Sequence, residues 1–353
     1  MLVFFLSFVC AFALSPIVIS VYKKRQWLDD PKQQTHIKKT HRVAVPRGGG
    51  VVVFGAILIC SILFLQFDQY LLAILAGAGI LAVVGFLDDI FDLHPLPRLA
   101  ANGIAALLVV GSGIGIAYVS NPFGAGVLHL DQPQLSFSLL GEVKNIWILA
   151  DILAVLFIIW NINIVNWSKG VDGQLPGFTA AALVFIGLLS LKFVGDPTAF
   201  NTAQLAFIVA GAFAGLLPWN WYPQKIMPGY GAGSLAGFFL AVLAILSGAK
   251  FATTLMVLAI PTADAIFTIA RRIRAGKSPL WGDRGHLHHK LLDTFGWSRQ
   301  KIAIFYSTTS ITLGILSLYL NTMGKLLTIA ITMSLVFGFL FWIKIKESTQ
   351  KRT

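Results

Sequence analysis

Residues 70–87 read YLLAILAGAGILAVVGFL, a stretch of eighteen residues without a single charge. As an α-helix it is about 27 Å long, close to the ~30 Å hydrocarbon core of a bilayer. The whole chain of 353 residues has the same character, with 56% hydrophobic and only 12% charged residues, where a soluble domain carries about 25% charged residues. This composition excludes a disordered chain, a coiled coil and a disulfide scaffold. It predicts an all-α multi-pass membrane protein.

Ten further apolar runs resemble this one, so we predict about 11 transmembrane helices. The first run lacks the charged start and the small-residue cleavage site of a signal peptide, which favours a retained helix. The predicted spans are 1–21, 50–66, 70–87, 98–119, 148–165, 177–194, 203–218, 233–248, 251–269, 303–321 and 325–343.

The basic residues predict how the chain is oriented. When alternate loops are placed on the same side, all but four of the 27 Lys and Arg residues fall on one side, and the exceptions are Lys144, Lys192, Lys250 and Lys325. Positively charged loops face the cytoplasm. We therefore expect a plasma-membrane protein with its N-terminus outside and its C-terminus in the cytoplasm. This orientation accounts for the net charge of +12 without a nucleic-acid partner.

Three carboxylates directly follow the quoted run. Asp88, Asp89 and Asp92 are spaced three and four residues apart, so on a continuing helix they share one face. Carboxylates this close repel one another unless a cation lies among them, which favours a divalent metal or a metal-bound phosphate. The alternative is an acidic turn that caps the helix at the membrane interface.

A second polar cluster leaves the fifth span. Asn163, Asn166, Lys169 and Asp172 recur at every third residue, which predicts a polar stripe on one helical face. Amides in hydrocarbon are costly unless they form hydrogen bonds, so four such residues indicate a lined cavity. Single asparagines that hold helices together are the alternative.

The segment before the eighth span is rich in glycine. It reads Pro228-Gly229-Tyr230-Gly231-Ala-Gly233-Ser234, and we expect a loop of backbone N–H groups followed by a helix that opens at Ser234. Such a loop suits an anion. Glycine-rich turns are also common between membrane helices, so the motif alone is a weak signal.

The last long basic loop contains Arg284, His286, His288 and His289. The histidines do not share a helical face, and no Cys or Glu lies beside them, which argues against zinc. Arginine binds phosphate oxygens with two N–H groups and histidine can donate to them, so phosphate recognition is the favoured interpretation. We expect a solvated loop that contributes little to packing. All four clusters fall on the predicted cytoplasmic side and together indicate diphosphate chemistry at a membrane surface.

These motifs resemble the polyprenyl-phosphate N-acetylhexosamine-1-phosphate transferase superfamily (glycosyltransferase family 4) over nearly the whole chain. The histidine motif is most similar to the branch that uses UDP-GlcNAc and undecaprenyl phosphate. Six ordered motifs carry the resemblance: Lys38-Lys39-Thr-His41 with Pro46-Arg47-Gly48-Gly49-Gly50, Gly85-Phe-Leu-Asp88-Asp89-Ile-Phe-Asp92, Asn163-Ile-Val-Asn166 with Asp172-Gly173, Asn220-Trp-Tyr-Pro223-Gln-Lys225, Pro261-Thr-Ala-Asp264, and His286-Leu-His288-His289.

The chain departs from the family pattern at two acidic positions. Lys169 stands where most relatives carry an Asp. The family's Gly-Asp-x-Gly-Ser motif supplies a magnesium ligand, but here the Asp position falls on Tyr230 or on Gly231, depending on the end from which the motif is aligned. Arg98 also stands where a Lys is usual. The loss of an acid at the Lys169 position and at the Tyr230 or Gly231 position puts the usual metal site in doubt.

The resemblance implies an enzyme that moves a sugar-1-phosphate from a UDP-sugar to polyprenyl phosphate and releases UMP, as the first membrane step of cell-envelope glycan synthesis. It also implies Mg²⁺, or Mn²⁺ in its place, and a homodimer. The domain would span residues 1–353, with a cytoplasmic site built from loops 22–49, 88–98, 161–177, 219–234 and 270–302.

The resemblance also implies a role for each site residue. Asp88 or Asp89 would accept a proton from the lipid phosphate or hold the metal, with Asn166 as a further metal ligand. The remaining substrate-binding residues would contact the diphosphate or line the nucleotide-sugar site, and they are Asp92, Asn163, Lys169, Asp172, Asn220, Arg284, His286, His288 and His289.

Two alternatives from other classes stay open. A degenerate member could bind polyprenyl phosphate or a nucleotide-sugar without turnover, which the two missing carboxylates motivate. A transporter or flippase is less favoured, because no pair of broken helices occupies matching positions in two halves of the chain. For Lys169 itself, a contact with a phosphate oxygen and a solvated side chain that touches nothing are both open.

Overall fold

The structure is a computed structural model that describes residues 1–31, 43–121, 124, 126–139, 142–192, 198–247, 250–278 and 283–350. Lys38, Lys39 and His41 of the predicted first loop lie outside the described residues.

Within these ranges the chain forms mostly helices, together with short antiparallel strand pairs. The helices are α1 (Leu2–Lys24), α2 (Gly49–Phe64), α3 (Gln69–Phe91), α4 (Pro95–Gly111), α5 (Ile148–Trp167), α6 (Gln174–Ser190), α7 (Ala199–Asn220), α8 (Gly229–Leu246), α9 (Lys250–Val257), α10 (Ala259–Arg274), α11 (Leu287–Asp293), α12 (Arg299–Tyr319) and α13 (Thr322–Gln350). The strand pairs are β1 (Leu28–Asp29) with β2 (Val45–Pro46), β3 (Tyr118–Ser120) with β4 (Val127–His129), and β5 (Gln134–Leu139) with β6 (Glu142–Trp147).

Seven of these helices are long and apolar enough to cross a membrane, namely α1, α3, α5, α7, α8, α12 and α13. The prediction of an all-α multi-pass membrane protein therefore agrees with the structure at this coarse level. Three more apolar helices, α2, α4 and α6, are shorter, with 16 to 17 residues each.

Two predicted spans differ from the helices that the structure contains. The ninth, 251–269, is two helices, because α9 ends at Val257 and α10 begins at Ala259. The fourth, 98–119, ends as a helix at Gly111, and Gly113 then takes a left-handed φ of +103° that leads towards β3. Glycine adopts this conformation without the steric cost that other residues have.

Helix α8 lies at the centre of the described core. It packs against α5, α3 and α2, and the residues Phe238, Phe239 and Leu240 are fully buried on successive faces of it. Around it, α1 packs on α7, α7 on α6 and α6 on α12. A helix that is apolar on all sides suits this enclosed position.

Three glycines bring α2, α3 and the start of α8 together. A Cβ atom on Gly50 would lie 2.8 Å from Gly231 Cα, and one on Gly85 would collide with the Gly231 backbone. Only glycine allows helix backbones to approach so closely. This contact holds the end of α3, with its aspartates, beside the first turn of α8.

Candidate active site

The three predicted carboxylates have three different sets of partners. Arg98 Nη1 lies 3.2 Å from Asp88 Oδ1, and the backbone N–H of Tyr230 donates to Asp89 Oδ1 at 2.8 Å. Helix α3 ends one residue before Asp92, which has a left-handed φ of +52° and a side chain that is 60% exposed. Asp92 therefore leaves the face that the spacing predicted. Separate positively charged or N–H partners reduce the repulsion among the carboxylates.

Arg47 adds a further positive charge at this end of α3. Its Nε and Nη2 atoms donate to Asp29 Oδ2 at 2.9 and 2.6 Å, and its Nη1 lies 3.8 Å from Asp92 Oδ1. The β1–β2 hairpin, which contains Asp29, therefore joins the first basic loop to the aspartate motif.

Lys169 is held between the end of α5 and the start of α8. Its Nζ donates to Asn166 Oδ1 at 2.8 Å and to the Gly229 carbonyl at 2.6 Å. Burial lowers the pKa of Lys169 to about 8, against the opposing fields of Asp89 and Asp88. Since this pKa is still above 7, the ammonium form predominates at neutral pH. The alternative of a solvated lysine that touches nothing is wrong.

The polar stripe predicted for the fifth span is only partly formed. Helix α5 ends at Trp167, so Lys169 and Asp172 lie beyond it and cannot share its face. Asn163 Nδ2 donates to a carbonyl one turn earlier in its own helix at 2.7 Å, and Asp172 Oδ2 accepts from the Gln224 backbone N–H at 3.3 Å. The predicted stripe residues therefore contact different partners at this end of α5.

Asn220 joins two segments near Asp172. Its Oδ1 accepts from the Gly173 N–H at 2.9 Å, and its Nδ2 donates to Gln224 Oε1 and to the Ile226 carbonyl, both at 2.9 Å. The side chain is buried. These bonds hold the turn after α5 against the turn after α7.

The glycine-rich segment is the first turn of α8, not a loop before it. The helix begins at Gly229, which has a φ of +67° and lies so close to Asp89 that a Cβ atom would collide with the carboxylate. Because the next N–H binds Asp89, the helix N-terminus already holds an anionic group of this chain. Ser234, predicted to open the helix, lies in its second turn and accepts from Asn166 Nδ2 at 2.9 Å.

The histidine cluster is buried, so the expectation of a solvated loop is wrong. His286, His288 and His289 are 6%, 1% and 4% exposed, and the last two belong to α11. His286 Nδ1 lies 2.9 Å from Asp264 Oδ2. An ionised carboxylate only accepts, so Nδ1 carries the proton, and Nε2, 3.4 Å from Arg272 Nη2, is the acceptor.

The other two histidines are neutral at physiological pH. Burial lowers the pKa of His289 to about 4 and that of His288 well below its ordinary value, and the cation of Arg284 lowers both further. Among the described residues, neither Nδ1 atom has a hydrogen-bond partner. Both imidazoles can therefore bind a ligand through hydrogen bonds but not as cations.

Arg284 faces a carboxylate of the chain. Its Nε and Nη2 atoms donate to Asp293 at 3.0 and 2.8 Å. Nearby, Arg271 and Arg272 both donate to Asp283. Burial opposes the charge of Asp283, but these hydrogen bonds lower its pKa well below the ordinary value.

Asp88, Asp89 and Lys169 together form what we call the carboxylate–lysine cluster. The turn after α5 connects this cluster to the histidines. Gly170, next to Lys169, lies so close to His288 that a Cβ atom would collide with the imidazole. One turn earlier, the Trp167 ring lies 6.3 Å from the ring of His286. The segment 166–172 therefore contacts both clusters, which places the predicted site residues in one continuous region.

Sequence reasoning missed part of this region. Tyr230 donates through its hydroxyl to Asn102 Oδ1 at 3.1 Å, and its ring lies 5.3 Å from the Arg98 guanidinium. The pairing of Asp264 with His286 was also missed, although both lie in motifs that the sequence singled out. A buried Asn in α4 and an Asp in the apolar start of α10 were the available signals.

The fold and this site define a helical multi-pass membrane protein whose helix ends assemble a cluster of carboxylates, basic residues and histidines. A family model for glycosyl transferase family 4 matches residues 71–248, which include the aspartates, the asparagine motif and the glycine-rich turn. The chain belongs to glycosyl transferase family 4.

Three curated relatives are similar over most of their length. The decaprenyl-phosphate N-acetylglucosaminephosphotransferase of Mycolicibacterium smegmatis is 27% identical over 302 residues, which is 76% of this chain and 70% of the relative. The enzyme of that name from Mycobacterium tuberculosis is 26% identical over the same shares. The undecaprenyl-phosphate alpha-N-acetylglucosaminyl 1-phosphate transferase of Escherichia coli is 25% identical over 344 residues, covering 92% of this chain and 85% of the relative.

Proposed function

We propose that this chain is an enzyme that transfers N-acetylglucosamine-1-phosphate from UDP-GlcNAc to polyprenyl phosphate and releases UMP. The family match carries the proposal, because it spans the residues that form the carboxylate–lysine cluster. The names of the relatives agree on a polyprenyl phosphate acceptor and on N-acetylglucosamine. We expect the protein to lie in the plasma membrane. We also propose that it forms a homodimer, which rests on the family resemblance alone.

In the proposed reaction an oxygen of the lipid phosphate attacks the sugar-bearing phosphorus of UDP-GlcNAc. A new P–O–P bond forms, and the bond from that phosphorus to the bridging oxygen breaks, so UMP leaves with the oxygen. Phosphoryl transfer asks the protein mainly for positioning and charge stabilisation. Asp88 or Asp89 would accept the proton of a protonated lipid phosphate.

The other site residues would bind the phosphates and the nucleotide-sugar. Arg98, Lys169 and Arg47 supply positive charge within the aspartate region. His288 and His289 have free Nδ1 atoms among the described residues and would form hydrogen bonds to the diphosphate. Arg284, which donates to Asp293 through Nε and Nη2, would join them through its other N–H groups. The remaining proposed contacts are Asp92, Asn163, Asp172, Asn220 and His286.

The proposed site lies on the cytoplasmic side of one integral-membrane domain, residues 1–353. Contacts join the end of α3 to the start of α4, the turn after α5 to the start of α8, and the end of α7 to the start of α6, which supports a site built from these segments. The basic residues near these segments support the orientation.

The test is a transfer assay with purified protein in nanodiscs. UDP-GlcNAc labelled in the sugar and undecaprenyl phosphate are supplied, and the lipid-linked product and UMP are quantified together. We expect equal amounts of both, and on the order of 100-fold less of both from Asp89→Asn. Wild-type protein that yields neither product would contradict the proposal.

The second candidate is a degenerate member that binds without turnover. It is motivated by Lys169 and by the absence of an acid at Tyr230 and Gly231. Saturable binding of UDP-GlcNAc without release of UMP would favour this candidate over the enzyme.

A further inference from the structure

The residues predicted to hold a divalent cation already have other partners. Asn166 Oδ1 accepts from the Lys169 ammonium and Asp89 Oδ1 accepts from the Tyr230 N–H. Asp88 Oδ1 accepts no hydrogen bond among the described residues but lies 3.2 Å from the Arg98 guanidinium, with which it forms an ion pair. Magnesium requires near-octahedral oxygen ligands at 2.0–2.1 Å. An ammonium bonded to one of those oxygens excludes the ion from that position and repels it elsewhere in the cluster. These residues therefore do not fit Mg²⁺.

The glycine-rich turn is also tightly packed at Gly231. A Cβ atom on this residue would lie 3.3 Å from Gly50 Cα and 3.5 Å from Gly85 Cα. A side chain at position 231 would therefore require the neighbouring backbone to move by a few tenths of an ångström. At position 230, the tyrosine side chain points to Asn102.

We propose that the ammonium of Lys169 is the resident cation of this site and neutralises the substrate phosphates in place of a divalent metal. The inference rests on the proposed function and goes beyond it, because it makes turnover independent of Mg²⁺.

The geometry of Lys169 suits this role. An ammonium has three N–H donors, and the oxygens of Asn166 and Gly229 accept two of them. These two bonds hold the nitrogen in place next to both α3 carboxylates, leaving a donor for a phosphate oxygen. Lysine can bind phosphate as a point charge without a fixed coordination geometry. The guanidinium of Arg98 adds a second positive charge, since it lies 5.3 Å from the centroid of the Tyr230 ring and Lys169 Nζ lies 5.6 Å from the same centroid.

A purely structural role for Lys169 makes a different prediction. In that case the ammonium only ties α5 to the first residue of α8, and its removal would lower thermal stability without altering how turnover depends on metal ions. The test must therefore measure metal binding and kinetics separately.

The first measurement is turnover in the presence of EDTA. Wild-type protein is expected to keep its kcat/KM for UDP-GlcNAc within twofold when Mg²⁺ is replaced by EDTA. Lys169→Met should lose on the order of 100-fold, as for the loss of one charge-stabilising donor, and Lys169→Arg should recover part of it. Lys346→Met, which changes an exposed lysine that lies 5.6 Å from the Trp342 ring in α13, outside the site, is the matched control and should have no effect.

The second measurement is direct binding of Mn²⁺, followed by electron paramagnetic resonance. Wild-type protein should show no saturable binding up to millimolar Mn²⁺. Lys169→Asp, which replaces the ammonium with a carboxylate, should bind one Mn²⁺, and the additional change Asp89→Asn should abolish that binding.

Two results would overturn the inference. One is a wild-type protein that loses activity in EDTA and regains it with Mg²⁺, or that binds Mn²⁺ through Asp89. The other is a Lys169→Met variant with unchanged kinetics. If no protein transfers sugar under any condition, the proposed function fails, but the Mn²⁺ measurement still decides whether Lys169 occupies the place of the cation.

Discussion

His286 is a buried residue whose replacement we expect to destabilise the protein. His286→Ala would leave Asp264 Oδ2 without the Nδ1–H donor that lies 2.9 Å away, while Leu287 N–H still donates to Oδ1 at 2.8 Å. Leaving a buried acceptor unsatisfied costs about 1–3 kcal/mol. The expected result is a lower melting temperature, measured by thermal denaturation in detergent.

A second variant separates this hydrogen bond from packing. His286→Asn places an amide donor close to the position of Nδ1, so it should recover part of the lost stability. An alanine variant as stable as the wild type would show that the Asp264–His286 bond contributes nothing to the fold.

His289 predicts how stability changes with pH. Its pKa falls from an ordinary value of 6.5 to about 4 in the folded protein, so the folded state favours the neutral ring. Its contribution is therefore present above pH 6.5 and is lost as the pH falls towards 4. His289→Gln should flatten the decrease of melting temperature between pH 6.5 and 4.

A His289→Gln profile that coincides with the wild type would mean that protonation of this ring is not coupled to unfolding.

At the residue scale, local spacing grouped the candidate site residues but did not predict their partners. Asn166 and Lys169, three residues apart, do form a hydrogen bond. The bonds of Asp89 to Tyr230 and of His286 to Asp264 join residues 141 and 22 positions apart. Such pairs depend on how helices pack, which a local pattern does not contain.

The contact among α2, α3 and α8 gives a prediction at the scale of elements. Gly50→Ala would bring a Cβ atom to 2.8 Å from Gly231 Cα, where only backbone movement can relieve the overlap. We expect a loss of about 1–3 kcal/mol in the free energy of unfolding and a loss of transfer activity, because Asp89 and the first turn of α8 would separate. Thermal denaturation and the transfer assay check both effects.

Gly103→Ala is the matched control, since a Cβ atom at this position of α4 has nothing within 4 Å. It should be neutral or slightly stabilising, because alanine favours helix more than glycine does. Equal behaviour of the two variants would contradict the close contact at Gly50.

Element boundaries were the least predictable part of the fold. The periodic polar residues from Asn163 to Asp172 suggested one continuing helix, but α5 ends at Trp167. The glycines before Ser234 suggested a loop, but they form the first turn of α8. In both places tertiary contacts decide the boundary: Lys169 bonds to Gly229, and the α8 N-terminus binds Asp89.

At the scale of the whole molecule, hydrophobic runs were sufficient to predict the helical class. Each predicted span overlaps a described helix, although α4 ends at Gly111, before the fourth run does, and α9 and α10 divide the ninth run between them. The paired strands β3–β4 and β5–β6, in the long segment between α4 and α5, were not predicted. Short strands in a polar connection have no strong periodic signal.

The orientation of the helices in the membrane can be tested at three lysines. Lys192 lies just after α6, on the side with few basic residues. Lys277 follows α10, and Lys346 lies near the end of α13, and both are on the basic side. All three side chains are exposed. Because the basic side should be cytoplasmic, a cysteine at position 192 should be open to the outside and cysteines at 277 and 346 should not.

Single cysteines introduced as Lys192→Cys, Lys277→Cys and Lys346→Cys test this orientation in intact cells, with Cys10 and Cys60 first changed to serine. A membrane-impermeant maleimide should label only Lys192→Cys before permeabilisation and all three afterwards. The opposite pattern would place the carboxylate–lysine cluster outside the cell. Positions 277 and 346 should be labelled in the same way. This result would show that α12 and α13 cross the membrane as a pair and return the chain to the same side.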